Sequence, residues 1–582
     1  MNNEKLQNLV RKEWNIGILE KTMGIVRSFS LTEKTLFVLF SLVFIVSGLS
    51  LLYSVNKSFL TEVPDYGGTL TEGIIGSPRF INPLLSTSDA DKDLTALVYS
   101  GLLKANEEGE LSPDIAESYS VSDDGLLYTF KIRDDISFHD GVKLTIDDVI
   151  FTIEKAQDSS LKSPREISWS GVRVEKIDEN TLTLTLKQAY SPFIQNATLG
   201  ILPKHIWKDV TSDEFPFSQF NLKPVGSGPY KIESISYSGT GLPREYKLTS
   251  FKKYSQGRPY ITNISIKSFL NEREVNDAYK NGDIESLNSV SPKQLPSLKN
   301  GSEQVMVSTL PRIFGVFFNQ NVSSVLLNKE VRQALDVAAN KQALVDDILG
   351  GYGQVINSPV PTETVLNTAT TTSQENIEKA KAILVKNGWK QNDAGIFEKK
   401  DKKGNARLSF SISTGNATEL KEAALLLQSQ WQEMGAEVEV KVFEIGDLNQ
   451  NVIKPRKYDA LLFGEIVGRD MDLYPFWHSS GRNSPGLNIA MYANVKSDRI
   501  RENIRKTSSD SEKEKLLKDF EKEIANDIPA VFTYSPHFIY IVPQKVRNVS
   551  LGIVSSPGER FVNISKWYIE TSNVWEIFNK NN

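Results

Sequence analysis

The sequence predicts a mixed α and β protein of two or three domains, preceded by one membrane-spanning helix. Three observations carry that prediction. A 20-residue run at 36–55 holds no charge, strand-like alternation recurs between 126 and 196, and helical patterns alternate with strand patterns from Pro311 onward. About 520 of the 582 residues lie beyond the apolar run, more than one hydrophobic core holds. Apolar residues at 40% and charged residues at 24% describe an ordinary globular body. A net charge of -5 with both signs interspersed gives no reason to invoke a nucleic-acid partner.

The run LFVLFSLVFIVSGLSLLYSV carries polar side chains only at Ser41, Ser47, Ser50, Tyr53 and Ser54. As a helix it rises about 30 Å, the thickness of a bilayer's hydrocarbon core. Thirty-five residues precede it and no small-x-small site follows in NKSFLTEVP, which predicts a retained anchor and not a cleaved signal. Lys21, Arg27 and Lys34 stand before the run and Lys57 alone stands close behind it. The excess of cations predicts a cytoplasmic leader at 1–35, with the rest of the chain outside the cell membrane. The chain has no cysteine, so neither disulfides nor a lipidated N-terminal Cys serves it. Leu6, Val10, Trp14 and Ile18 recur at near-helical spacing, as in an amphipathic helix on the inner membrane surface or a partly ordered tail.

A polar linker is expected at 56–66, with folding from about Gly67. LLYTFKIR and TLTLTLK alternate as strands, and TIDDVIFTIEKAQ reads as a helix with Thr145 as its N-cap and Asp147 and Asp148 in its first turn. PVGSGPY at 224–230 sets two glycines between prolines, which suits a tight connection with positive φ at a hinge or domain crossing. NKEVRQALDVAANKQALVDDIL, SQENIEKAKAILVKNG and ATELKEAALLLQSQWQEMG read as helices, the last two closed by a glycine C-cap. RLSFSIST, EVEVKVFEI and YDALLFGEI read as the strands between them, and SEKEKLLKDFEKEIAND as a final helix before the strand PAVFTYSPHFIYIVP. The unpatterned stretch at 358–372 is expected to be a surface excursion.

Catalytic signatures are missing. The chain holds no HExxH, no G-x-S-x-G and no Walker A loop, and its histidines, His139, His205, His478 and His537, lack ligand spacing. The residues predict neither an enzyme nor a metal or other cofactor. The FHDG segment at 138–141 reads as a turn, and Asp147 and Asp148 read as charges favoured by the helix dipole.

A series of motifs in fixed order then resembles the family 5 solute-binding proteins of ABC importers, the dipeptide, oligopeptide and nickel type. The series begins with SPRFINPLLSTSDADKDLTALVYSGLLK from Ser77, PDIAESY from Pro113 and ISFHDGVKLTIDDVIFTIE from Ile136. It continues with YSPFIQ, GILPKHIW, PVGSGPYKI, VFFNQN and NKEVRQALDVAANKQALV, and ends with FWHSSG from Phe476 and NIAMYAN from Asn488. The resemblance implies a two-lobed periplasmic-binding-protein-like fold of type II, with an extra subdomain at about 111–220. Lobe one would span 67–310 and regain the chain at 528–582, lobe two would span 311–527, and two crossings would lie near 307–314 and 527–534. It implies a receptor that closes about a peptide or other small solute and passes it to ABC permease subunits with cytoplasmic ATPases. A non-peptide solute or a signalling peptide on the same fold, and a hydrolase or cell-envelope scaffold of another class, are the alternative readings.

The same resemblance directs attention to YDALLFGEIVGRDMDLYPFWHSS. Peptide-binding relatives fix the ligand's amino group with an aspartate in the loop after this strand, which makes Asp470 and Asp472 candidates. The sequence departs from the relatives' Trp and Asp here, with Val467, Gly468 and Arg469 in their place. Arg469 is a candidate clamp for a carboxylate or phosphate, or a neutralising partner of Asp470. Trp477 and His478 either line a cleft or cap a core. Asn488 and Tyr492, four apart, either meet ligand or brace their loop. Tyr99, in a helix-like stretch, and Arg312, before the aromatic strand IFGVFF, complete the candidates.

Overall fold

The computed structural model describes residues 24–25, 28–288, 290–360, 373–401, 404–468, 471–507 and 509–578. Most of the expected leader, the excursion from residue 361 to 372, and the candidates Arg469 and Asp470 lie outside the described residues. The chain forms two compact units, one reaching Asp65 and resuming at Thr571, the other Tyr66–Glu570.

Among the described residues the longest element of the first unit is the helix Leu31–Ser58, which contains the apolar run and buries none of its side chains. Its start is closed by a capping box: the Ser30 N–H donates to Glu33 Oε2 at 2.8 Å, and the Glu33 N–H to Ser30 Oγ at 3.4 Å. Where a linker was expected, at 56–66, the helix runs on to Ser58 and the strand Leu60–Asp65 follows. That strand pairs with Glu570–Trp575, a partner some 500 positions away that no local pattern announces. Trp575 Nε1 donates to Asn56 Oδ1 at 3.0 Å, and Thr571 Oγ1 to Glu62 Oε1 at 2.6 Å.

The second unit is the mixed α and β body. Its main sheet joins twelve strands, running from Glu437–Phe443 and Ser409–Gly415 at one end to Pro243–Ser250 and Tyr230–Tyr237 at the other. A separate antiparallel sheet, Ala116–Val121, Leu127–Ile132, Thr181–Thr185 and Arg173–Lys176, realises the alternation read at 126–196, with Phe130 opposite Leu182 and Tyr128 opposite Leu184.

Among the described residues the buried apolar side chains fall into four clusters, and we read the two largest as the cores of lobe one and lobe two. Leu70, Leu94 and Ile264 pack with Tyr540 and Trp567, whereas Val316, Leu335, Leu427 and Trp431 pack with Val531 and Tyr534. The strand Ala530–Pro543 belongs to both. Its residues 530–534 pair with Arg312–Phe318, and its residues 537–543 pair with Glu303–Thr309. The strand's pairing partner changes at Ser535–Pro536, adjoining the crossing expected near 527–534, because the ladder to Arg312–Phe318 extends as far as Tyr534.

The helices form as their caps direct, with one exception. Thr418–Met434 ends at Gly435 with φ +107, the left-handed C-cap that glycine adopts without strain. Asp510–Asp527 starts at Ser509, whose side chain accepts from the Glu512 N–H. The stretch from Lys329 breaks at Ala339, where the backbone turns extended and Asn340 caps a second start, accepting from the Ala343 N–H at 3.1 Å.

PVGSGPY differs from the sequence expectation in its reason for glycine. Neither Gly226 nor Gly228 has positive φ. A Cβ on either would lie 2.0 or 2.6 Å from backbone atoms of Val98, so the loop needs glycine for close approach. His139 braces it by accepting the Gly226 N–H at 3.4 Å on Nδ1 and meeting Gly228 O at 3.0 Å through Nε2. Burial lowers that imidazole's pKa to about 4, which keeps it neutral and structural.

Candidate functional site

Two chain segments carry the backbone from lobe to lobe. One is the connection Leu310–Pro311 between Glu303–Thr309 and Arg312–Phe318, the other is Ser535–Pro536 inside the long strand. Ser535 Oγ donates to Leu310 O at 2.8 Å and joins them. Proline brings no N–H, so Pro311 and Pro536 each remove a backbone donor at a crossing, although Ser535 and Pro536 still lie opposite Gln354 and Gly353 of the strand Gly353–Val355.

Beside them opens a cleft of about 350 Å³, within the range of small-ligand sites. Arg312, Phe314 and Glu419 line one side, Val290 and Lys293 the other, with His537 between. Phe314 stacks on Tyr534 at 5.0 Å and gives the wall an aromatic face. Burial raises the Glu419 carboxyl above its usual range, against the opposing pull of the Tyr534 hydroxyl and the Arg312 charge. Arg312 Nε is buried without a hydrogen-bond partner. A buried guanidinium N–H with no acceptor is a donor held ready for one. Lys293 and Glu422 meet across the cleft mouth at 2.5 Å, half-exposed, a contact worth little by itself.

The candidates from the sequence separate into four places. Arg312 lines the cleft. Tyr99 is buried in lobe one at the end of the helix Asp89–Val98, its hydroxyl without a partner. Asp472 is clasped by Arg505, with Nε 3.0 Å from Oδ1 and Nη2 2.5 Å from Oδ2. Tyr190 Oη donates to the same carboxylate at 3.1 Å, and the guanidinium lies 3.8 Å from the Tyr474 ring centroid and 5.1 Å from that of Tyr190. Asp472 is thereby committed to a contact between lobe two and the 190–195 segment and is not among the residues lining the cleft.

Trp477, His478, Asn488 and Tyr492 form the fourth group, and each is held by protein. Trp477 is fully buried among Phe317, Phe520 and Phe532, which makes it a core residue and not a cleft wall. His478 stacks on Tyr474 at 4.1 Å and places Nδ1 2.7 Å from Ser480 Oγ. Asn488 donates to His478 O and Tyr492 O and accepts the Tyr492 N–H, spending its amide on the loop. Tyr492 donates to Asp527 Oδ2 at 2.7 Å.

Sequence reasoning did not single out Glu419, His537 and Lys293 in the cleft, or Arg505 in the clasp. Arg505 sits in the last turn of Val495–Lys506, where a basic residue is explained by the dipole alone. No spacing ties it to Asp472, 33 positions earlier.

The family model described as bacterial extracellular solute-binding proteins, family 5 Middle, matches residues 110–486. The oligopeptide-binding protein AppA of Bacillus subtilis is 29% identical over 516 residues, which cover 87% of this chain and 92% of AppA. The structure of that AppA in complex with a nonapeptide aligns with a TM-score of 0.67 and 28% identity, over 87% of this chain and 100% of that one. NikZ from Campylobacter jejuni in complex with Ni(L-His) aligns with a TM-score of 0.68 and 26% identity, over 86% and 99%.

Proposed function

The chain belongs to the bacterial extracellular solute-binding proteins of family 5, and from that membership we propose that it captures peptides between its lobes and delivers them to an ABC permease driven by cytoplasmic ATPases. The observation that carries the peptide reading is the likeness over 87% of the chain to AppA holding a nonapeptide, joined to a cleft set at two proline-marked crossings. Contacts made by a ligand to both walls of such a cleft exist only when the lobes meet, so binding energy shifts the equilibrium toward closure. Arg312, Glu419 and the Phe314 face are the groups we assign to ligand contact. Asp470 keeps its place as the candidate for the amine end and Arg469 as a candidate clamp for a carboxylate, while Asp472 is held by Arg505 and is not assigned to the ligand.

We read the helix Leu31–Ser58 as an uncleaved anchor, N-terminus in the cytoplasm, that keeps the receptor beside its permease at high local concentration. The protein is taken to catalyse nothing, since the sequence offers no nucleophile with a base and no ligand cluster. Thermal-shift and calorimetric titration of the detergent-solubilised full chain against peptide pools of increasing length tests the reading, with a nickel–histidine chelate in parallel. A rise in Tm with stoichiometric heat from at least one peptide class is expected. Silence from every peptide class, or a response to the chelate alone, ends the peptide assignment.

A further inference from the structure

A second cavity, of about 390 Å³, lies in lobe one along the helix Asp89–Val98. Lys92 and Thr95 line it from one stripe of that helix, three positions apart, and Tyr99, the extended residue that follows its last turn, lines it beyond them. The same stripe begins at Asp89, which lines the cleft at the crossings. One helical face thus runs from the first cavity into the second.

The two cavities differ in charge. Among the described residues, Asp89, Glu419 and Glu422 outnumber Lys293 and Arg312 in the cleft. In the second cavity Lys92 and Arg165 outnumber Glu559. Glu559 is engaged by the Ser555 N–H at 2.8 Å, and Lys92 touches a carboxylate only loosely, Asp89 at 3.9 Å. Thr95 Oγ1 and Tyr99 Oη are both buried and without a hydrogen-bond partner, and Tyr99 is 94% buried, being 6% exposed. Burial raises the Tyr99 pKa, so its hydroxyl stays a donor. Two cations and two unspent hydroxyls thus line one cavity, the donor set that an acceptor-only, negative group would satisfy.

We propose that this cavity receives the free carboxylate of the ligand, so that a peptide lies along the helix with its ammonium toward the cleft at the crossings and its C-terminus at Lys92 and Arg165. The proposal rests on the peptide reading for its ligand. It also fixes a length. From Asp89 to Tyr99 the helix rises about 15 Å, which an extended chain covers in about four residues. Free-acid peptides near that length are therefore the favoured class.

The test titrates the detergent-solubilised full chain with tetra-alanine and with its C-terminal amide, in the unaltered protein and in K92M/R165M. The acid is expected to bind the unaltered chain about tenfold or more tightly than the amide, as loss of a charge-assisted contact implies, and the double variant to bind both alike. Equal affinity for acid and amide in the unaltered chain overturns the proposal, as does a preference that survives K92M/R165M. If the double variant does not accumulate, T95V/Y99F replaces it, and that pair must shrink the preference for the proposal to stand. Should both peptides be silent, the peptide reading is left to the pools of increasing length and the cavity is judged with succinate. A Tm rise in the unaltered chain that is lost in K92M/R165M retains the anion site, and no rise removes it.

Discussion

Arg560 and Arg505 each hold carboxylates in this molecule, and they do so in opposite settings. Arg560 is fully buried inside lobe one, with Nε 2.8 Å from Glu72 Oε1 and Nη1 2.7 Å from Asp93 Oδ1. Tyr540 and Ser286 add donors to Glu72, and Asn288 adds one to Asp93. Burial raises the pKa of both carboxyls while Arg560 pulls them back. Burial also works against the guanidinium's own charge, but Asp93 and Glu72 outweigh it and raise its pKa. Every partner in this knot belongs to one lobe. Arg505, in contrast, holds a single carboxylate, is partly exposed, and leans on Tyr190 from the other side of a lobe boundary. The first cluster fastens strands and helices that never part. The second exists only while two segments meet, so its energy enters the balance between open and closed forms.

Removing each arginine should separate these roles. Arg560→Met leaves two carboxyls buried side by side, and a loss of about 3–5 kcal/mol in urea unfolding is expected, or failure of the chain to accumulate. A loss under about 1 kcal/mol would show the cluster to be replaceable.

A third buried carboxyl sharpens the contrast because it has no arginine at all. Glu465 lies on Ala460–Ile466, 3% exposed, and burial raises its pKa well above the usual range, opposed only by the Trp477 indole. A carboxyl whose folded pKa is raised stabilises the fold below its unfolded pKa, and that stability is lost as pH rises through the folded value. Glu465→Gln keeps the neutral shape, so its Tm should fall less than that of the unaltered chain as pH is raised above the ordinary carboxylate range. Parallel curves would place the Glu465 proton elsewhere.

Arg505→Met should cost the unliganded chain little and weaken the best peptide found by roughly tenfold, since the closed form loses its clasp. Unchanged affinity beside a lowered Tm would make the contact merely structural. Tyr190→Phe deletes one hydroxyl and keeps the ring on Arg505, so about 0.5–1.5 kcal/mol of the same effect is expected in calorimetry. An effect as large as that of Arg505→Met would mean that the ring geometry itself has changed.

Much of the architecture was legible because its causes are local. The capping box at Thr145 and Asp148, the glycine stop at Gly435 and the period-two alternation of LYTFKI are written within a few residues of where they act. The apolar run announces its helix in the same way. What stayed hidden depends on partners far along the chain. Glu72 and Arg560 are separated by 488 positions, and Asp472 reads as a ligand anchor until Arg505 is seen upon it. Gly226 and Gly228 were correctly read as backbone positions, but the neighbour that demands them, Val98, belongs to a distant helix. Of the candidate site, Arg312 was legible from its place at a crossing. Glu419 and His537 were not, since nothing in a helix start or a strand interior distinguishes a side chain facing a cleft from one facing water.

The strand Leu60–Asp65 bears on the mechanics of the tether. A paired strand is taut, and its six residues contribute no slack while Glu570–Trp575 holds them. Shortening the chain from its C-terminal end would therefore lengthen its leash. Six freed residues extend by up to about 20 Å, and under the anchoring proposed above a looser leash would dilute the receptor around the proposed permease.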